Sequence, residues 1–158
     1  MSKQISRYFS LEEASVSGIA ARLGIDNTIP ESILPAVYNT ARCMDTVRVL
    51  LNDPIHVDSW YRCIELNRVL KSKDNSKHPL GEAVDFISPT FGEPVEMCRR
   101  IVSNKDIIRF DQLILEYTWV HISFCSNPNS VPRNLVLSLL SNGKFANGLT
   151  NTSGEPYE

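Results

Sequence analysis

Apolar residues recur at three- and four-residue spacing along the first third of the chain, which is typical of amphipathic helices. The longest such pattern runs from Pro30 to Leu51. A shorter helix is predicted from Leu11 to Leu23, because Ser10 and Glu13 form a capping-box pattern at its start and Gly24 follows its end. The chain is therefore expected to begin with helices.

Alternating and β-branched segments follow, and they predict strands. We expect strands at Ile55–Tyr61, at Glu82–Ile87, in two pieces of Asp111–Phe124 joined at Tyr117-Thr118, and at Arg133–Ser141, with helices at Cys63–Lys71 and Glu93–Ser103 between them. Helices first and a mostly antiparallel sheet later indicate an α+β fold. We predict one domain over residues 1–148 and a polar, flexible tail over residues 149–158.

Composition narrows the classes of partner. The chain has 158 residues, 42% hydrophobic and 22% charged, a net charge of −2 and a pI near 5.9. This balance gives no electrostatic reason to expect nucleic acid as a partner. Neither a signal-peptide core nor an apolar run of transmembrane length stands out, so we expect a cytoplasmic protein without a membrane anchor, and a monomer. The four cysteines form no C-x-x-C pair, and we expect them to be reduced.

The segment SKHPLGEAVDF places His78, Gly81 and Asp85 close together in sequence. Gly81 would allow the chain to fold back, so that the loop histidine comes beside the strand aspartate. Asp85 stands between two apolar neighbours, where a buried carboxylate without a cation would be costly. These features indicate a metal site, although an H-x6-D spacing alone also arises by chance.

His121, in the segment WVHISF, is the candidate for a third ligand. If Tyr117-Thr118 is a two-residue turn, Ile114 lies opposite His121, and Glu116 lies diagonal to His121 at roughly 7–8 Å. A carboxylate at that distance is too far for a direct bond and suits a water on a metal held by the histidine. Two histidines and one aspartate satisfy a zinc site that keeps a position open for water. The alternative is an ordinary histidine on a half-apolar strand.

Three segments together resemble a known family. The pattern S-x-H-x-x-G-x-A-x-D-F is similar to the first metal motif of zinc D-Ala-D-Ala carboxypeptidases and phage L-Ala-D-Glu endopeptidases. It is present as Ser76, His78, Gly81, Ala83, Asp85 and Phe86. DQLILE followed by WVHIS resembles the second motif of their phage branch, and IHVDSWYRCIELNRVL resembles a segment written SGYRSxxLN. The resemblance extends over about residues 7 to 148.

The resemblance implies a hedgehog/DD-peptidase-like fold and a zinc-dependent peptidase of peptidoglycan stem peptides. It implies His78, Asp85 and His121 as zinc ligands and Arg62 as the cation that binds the substrate and steadies developing negative charge. Ser76, Tyr61 and Trp119 are the further substrate-binding residues that it suggests. The cofactor would be Zn²⁺.

Two positions depart from the family pattern. Relatives carry their general base three residues before the last histidine, where this chain has Thr118, which cannot act as a base at neutral pH. Glu116 is therefore the candidate base, with Asp111 as a weaker option. The second departure is Trp60, where the family has glycine, and we expect it to pack in the interior rather than to narrow the substrate groove.

The absence of an export signal in the sequence favours a phage or prophage endolysin that waits in the host cytoplasm until lysis. Two alternatives remain open. One is an inactive module on the same fold that grips peptidoglycan or builds a virion. The other is an enzyme that cuts the D-Ala-D-Ala bond rather than the L-Ala-D-Glu bond, and no residue decides between these bonds.

Overall fold

The computed structural model describes residues 2–157 and has an α+β fold with a six-stranded sheet. Its helices are α1 Leu11–Ser15, α2 Gly18–Leu23, α3 Leu34–Leu51, α4 Ile64–Val69 and α5 Pro94–Val102, with a short 3₁₀ helix at His78–Leu80. Its strands are β1 His56–Ser59, β2 Ala83–Ile87, β3 Gln112–Leu115, β4 Val120–Ser123, β5 Leu135–Leu139 and β6 Phe145–Asn147. The predicted class is confirmed.

The predicted helix from Leu11 to Leu23 is two helices. Its start is as expected, because the side chains of Ser10 and Glu13 cap each other's main-chain N–H groups. The helix ends early because the residue after α1 takes up an extended conformation, and Ser17 then caps a second helix by accepting from the N–H of Ala20. A serine hydroxyl that accepts from a main-chain N–H at a helix start competes with the continuous helical hydrogen bonds, and this explains the break at Ser17.

The strand order in the sheet is β1-β2-β4-β3-β5-β6. All neighbouring pairs are antiparallel except β3 and β5. The expected two-residue connection between β3 and β4 is confirmed: Ile114 pairs with His121, and the N–H of Glu116 donates to the carbonyl of Trp119. The central strands therefore meet in the register that the site requires.

The two faces of the sheet differ in polarity, as the alternation of a half-buried sheet requires. One face belongs to the hydrophobic core, in which Val84, Phe86, Val120 and Ile122 from the sheet cluster with buried residues of α3 and α5. The opposite face, at the same central strands, carries polar and titratable side chains. The core thus fixes the strands whose other face forms the candidate site.

The C-terminal region differs from the prediction. The strand at Leu135–Leu139 is not the last one, because the turn at Asn142-Gly143 leads into β6, which pairs with it. The segment for which we expected a flexible tail also makes ordered contacts: Thr150 is buried and donates its N–H to Ser138. The sequence did not indicate these contacts, because the segment is mostly polar and has no periodic apolar pattern.

The cysteines and the lengths of the helices bear on two further expectations. The four cysteines are free thiols, as expected. Within residues 2–157, no helix combines the length and the apolar character needed to cross a bilayer.

Candidate metal centre

A single row of residues runs across the polar face of the sheet. Asp85 on β2 pairs with His121 on β4, and His121 pairs in turn with Ile114 on β3. Ser59 on β1 lies on the other side of Asp85. Because side chains of directly paired residues point to the same face, this register alone brings the aspartate and one histidine together.

The second histidine comes from the loop before β2. His78 begins the short 3₁₀ helix, which ends at Gly81 in a left-handed conformation with φ of +72°. The carbonyl of Gly81 accepts hydrogen bonds from Thr40 Oγ1 and from Trp60 Nε1, at 2.9 and 3.0 Å. The turn that we expected Gly81 to allow is present, and it is fixed to the core from two sides.

The three side chains converge closely enough to share one ion. Each of His78, Asp85 and His121 offers a ligand atom, and these atoms lie within 4.8 Å of one another. Asp85 Oδ2 is 3.4 Å from His78 Nε2, and Asp85 Oδ1 is 2.8 Å from His121 Nδ1. His78 and Asp85 are buried, with 2% and 7% exposure. Buried carboxylates and histidines gathered in this way are typical of a metal site.

Burial and close contacts shift the pKa values of two candidate ligands, His78 and Asp85, in directions that favour metal binding. Burial lowers the pKa of His78, which favours the neutral imidazole, although Asp85 opposes the shift. Burial raises the pKa of Asp85, but the two histidines outweigh it and hold the pKa well below its ordinary range. A neutral imidazole and an ionised carboxylate are the forms that bind metal.

The donor set fits zinc. Two imidazole nitrogens and one carboxylate oxygen are ligands that zinc accepts, and three protein ligands leave a fourth position for water or substrate. His78 Nδ1 lies 2.6 Å from the main-chain oxygen of Trp60. That contact fixes the orientation of the ring, as hydrogen bonds to the second ring nitrogen do for metal-bound histidines.

Arg62 lies directly beside the three candidate ligands. Its Nη2 donates to Asp85 Oδ2 at 3.0 Å, and its Nε donates to Ser59 Oγ at 2.9 Å. The side chain is only 13% exposed. The guanidinium is therefore held in one orientation, next to the position where a substrate would meet the metal.

Glu116 lies just beyond β3, diagonal to His121 in the confirmed register. Burial and the negative charge of Asp85 raise its pKa, while His121, Trp119 and Arg62 oppose the shift. The indole N–H of Trp119 is buried and has no hydrogen bond of ordinary geometry among residues 2–157, although it lies close enough to influence this carboxylate. The residue that the sequence suggested as a base is therefore a half-buried carboxylate beside the site.

Comparison with known families agrees with this arrangement. Residues 7–123 match the model of the family described as Peptidase M15. The chain belongs to the Peptidase M15 family. Members of this family are zinc peptidases, and the match includes all three candidate ligands together with Arg62 and Glu116. No curated protein matches the chain.

The M15 site opens into a cavity of about 500 Å³. The three candidate ligands line it, and so do the expected substrate-binding residues Ser76 and Trp119 together with Arg62 and Glu116. Ser76 also accepts a hydrogen bond from the N–H of His78. Most of the site residues that were proposed from the sequence therefore line one cavity.

Other residues that the sequence raised lie elsewhere. Tyr61, expected to bind substrate, is 6% exposed, belongs to the hydrophobic core and does not line the cavity. Trp60 is buried in the core, as expected. Asp111, the weaker candidate for the base, is bound by Arg133 and Lys77. His56 is exposed and faces Asp58.

Sequence reasoning missed the basic side of the cavity. Lys77 and Arg133 line it and meet at the buried carboxylate of Asp111. They come from the loop before the 3₁₀ helix and from the segment before β5, far apart in sequence. No periodic pattern in the sequence links these two positions. The position of Lys77 directly before His78 could nevertheless have drawn attention to it.

Proposed function

We propose that this chain is a zinc-dependent peptidase that hydrolyses stem peptides of peptidoglycan. The observation that carries the proposal is the convergence of His78, Asp85 and His121 within 4.8 Å, in a cavity of an M15-family chain. Zinc, when bound there, polarises a peptide carbonyl and makes water a stronger nucleophile.

The chain's own residues would supply the proton transfer and the stabilisation of charge. Glu116 is the base that takes a proton from the attacking water and returns it to the leaving amine, which is an ordinary role for a carboxylate placed beside a reacting group. Its raised pKa supports this role, because a base is most effective when its pKa approaches the working pH. Asp111 is unsuited to the role, because two cations already occupy its carboxylate.

Arg62 would stabilise the negative charge that develops on the carbonyl oxygen. Its contacts with Ser59 and Asp85 hold the guanidinium in place before the substrate arrives. Such preorganised donors contribute much of the rate enhancement in acyl transfer, because they need no rearrangement in the transition state. Trp119 lines the cavity together with Glu116 and would contact the bound peptide there.

Both the L-Ala-D-Glu and the D-Ala-D-Ala bond are compatible with the site. A phage endolysin is the biological role that we propose, and it is supported by the resemblance of DQLILE and WVHIS to the phage branch of these enzymes. A peptidoglycan-binding module without catalysis is the second candidate. Its support is the placement of Glu116 five residues before His121 instead of the family's three.

The deciding experiment combines metal analysis with product analysis. Purified protein is assayed for zinc and incubated with peptidoglycan, and the released peptides are identified by mass spectrometry, with His121→Ala as the control. About one zinc per chain, absent from the variant, together with new peptide termini would support the peptidase and identify the bond. Zinc without cleavage would favour the binding module. A protein that takes up no zinc would contradict both the site and the mechanism.

A further inference from the structure

The cavity has a charge opposite to that of the chain as a whole. Five cationic side chains line it, against two lining carboxylates, those of Asp85 and Glu116, whereas the chain carries a net charge of −2. Two further carboxylates, those of Asp111 and Glu82, do not line the cavity but pair with two of the cations. The cations are Arg62, Lys71, Lys73, Lys77 and Arg133. A cleft lined by one sign of charge attracts ligands of the other sign. The cavity is therefore suited to an anionic substrate.

Arg133 lies away from the candidate metal ligands along the sheet. Arg133 lies two residues before the start of β5. On β5, Leu137 pairs with Ile114, which in turn pairs with His121. The four residues from Leu137 back to Arg133 span at most about 13 Å of strand. Glu116 directly follows the end of β3, which runs parallel to β5, so it lies on the other side of this row from Arg133. The proposed base and Arg133 thus lie at opposite ends of the cavity.

Arg133 is fixed by a buried partner. Its Nε and Nη2 donate to the two carboxylate oxygens of Asp111, at 3.0 and 2.8 Å, and its main-chain N–H donates to the same side chain. Asp111 is 3% exposed, whereas the side chain of Arg133 is 57% exposed. The guanidinium is therefore anchored on one edge and open to solvent on the other.

The open edge of Arg133 retains its binding capacity. A guanidinium has five N–H donors, and those not facing Asp111 have no protein acceptor among residues 2–157. A fork of this kind matches the two oxygens of a carboxylate. Arg133 thus presents a rigid and unused anion-binding group at the cavity wall.

Lys77 has a different role from Arg133. Its ammonium lies 3.0 Å from Asp111, 3.3 Å from Glu82 and 3.5 Å from the carbonyl of Phe124, which accounts for its three donors. It ties the segment that carries His78 to the sheet and has no donor left for a ligand. Lys71 and Lys73 are exposed and have no ion-pair partner among the described residues, so they can supplement Arg133.

We propose that Arg133, supported by Lys71 and Lys73, binds a carboxylate of the stem peptide at a distance from the scissile bond. This inference rests on the proposed function and adds a determinant of substrate choice to it. Two carboxylates of a stem peptide have the required chemistry: that of its internal glutamate residue and that at its C-terminus. Binding either one would orient the peptide along the cavity and make cleavage depend on that charge.

The test uses three synthetic stem peptides with the full-length, zinc-loaded protein. The first has both carboxylates free, the second has the internal carboxylate amidated, and the third has the C-terminal carboxylate amidated. We expect one of the two amidations to lower kcat/KM of the wild type about tenfold, the usual contribution of a charge-assisted hydrogen bond. The variant Arg133→Gln should reduce this preference to about threefold or less, the share that Lys71 and Lys73 would supply.

Two further variants separate binding from folding. Lys71→Gln combined with Lys73→Gln leaves the contacts of Asp111 intact and should weaken the same preference about threefold, as expected for cations that act as supplementary point charges. Arg22→Gln removes a charge from the exposed surface of α2, outside the cavity, and should leave the preference unchanged. Zinc content and thermal unfolding of each variant show whether the site remains assembled.

The outcomes distinguish the inference from the function on which it rests. If Arg133→Gln keeps the wild-type preference for both carboxylates, or loses activity equally on all three peptides, the inference is wrong and the peptidase remains. If the wild type cleaves none of the peptides and releases nothing from whole peptidoglycan, the proposed function is wrong, and the inference fails with it.

Discussion

The Nδ1 atom of His78 lies 2.6 Å from the main-chain oxygen of Trp60. A carbonyl oxygen can only accept, so the proton of the neutral imidazole resides on Nδ1, and the lone pair of Nε2 faces Asp85. The main-chain oxygen of this core tryptophan thus helps to orient a candidate metal ligand, while its indole N–H donates to the carbonyl of Gly81 and holds that turn.

Replacing His78 should abolish high-affinity zinc binding. The variant His78→Ala loses one of three protein ligands, and we expect its zinc affinity to fall by more than about 100-fold, the upper range seen when only a supporting partner of a ligand is removed. Competition with a fluorescent chelator measures the affinity. His56→Ala is the matched control, since His56 is exposed and outside the site, and equal losses in both variants would contradict the assignment.

Replacing Glu116 should stop catalysis while preserving the metal. Glu116→Gln keeps the size of the side chain but cannot accept a proton, and we expect kcat to fall about 10²- to 10⁴-fold with zinc content unchanged. Steady-state kinetics on a peptide substrate measures the effect. Thr118→Ala changes the exposed position where relatives place their base and should retain wild-type activity. Wild-type activity in Glu116→Gln would exclude Glu116 as the base.

The ion pairs of Asp111 should make part of the stability dependent on pH. Burial raises the pKa of Asp111, but hydrogen bonds from Arg133 and Lys77 outweigh it and hold the pKa well below its ordinary range. Such a carboxylate stabilises the fold above its unfolded-state pKa of about 3.9, and the contribution is lost as the pH falls towards the lower folded-state pKa.

Asp111→Asn should therefore lower the free energy of unfolding by about 2 kcal/mol at pH 7. The difference from the wild type should shrink as the pH falls below about 3.9. Urea denaturation at pH 7 and pH 3 measures both values. Asp106→Asn, at an exposed position, should change little at either pH. An Asp111→Asn cost that is equal at the two pH values would show that ionisation of this carboxylate is not the cause.

Gly81 should be far less replaceable than another glycine with a similar backbone. A Cβ at Gly81 would lie 2.7 Å from Cγ2 of Val37, a β-branched helical side chain that cannot rotate away easily. With the left-handed φ of +72°, we expect Gly81→Ala to cost about 3 kcal/mol of unfolding free energy.

Gly143 provides the comparison. Its φ is +80° but a Cβ there would meet no atom within 4 Å, so Gly143→Ala should cost only about 1 kcal/mol. Thermal or urea unfolding of both variants measures the difference. Similar costs at the two positions would mean that the contact with Val37 relaxes.

The sequence allowed much of the site to be predicted because its parts are local. The register of Ile114 and His121 follows from a two-residue turn, and the closeness of His78 to Asp85 follows from Gly81. The basic side of the cavity could not be predicted, because Lys77 and Arg133 are far apart in sequence and meet at Asp111 only in the folded sheet. Tyr61 was expected to bind substrate but lies in the hydrophobic core, because a motif match does not reveal which way a side chain points.

The candidate metal site depends on correct strand alignment, because Asp85 and His121 are directly paired residues of β2 and β4. Side chains alternate between faces, so a slip of one residue between β2 and β4 would turn one ligand towards α3 and α5 and bring an apolar residue to the polar face. A misaligned sheet would lack the site altogether. During refolding, the rate at which zinc is captured should therefore report the moment at which these two strands reach their final alignment.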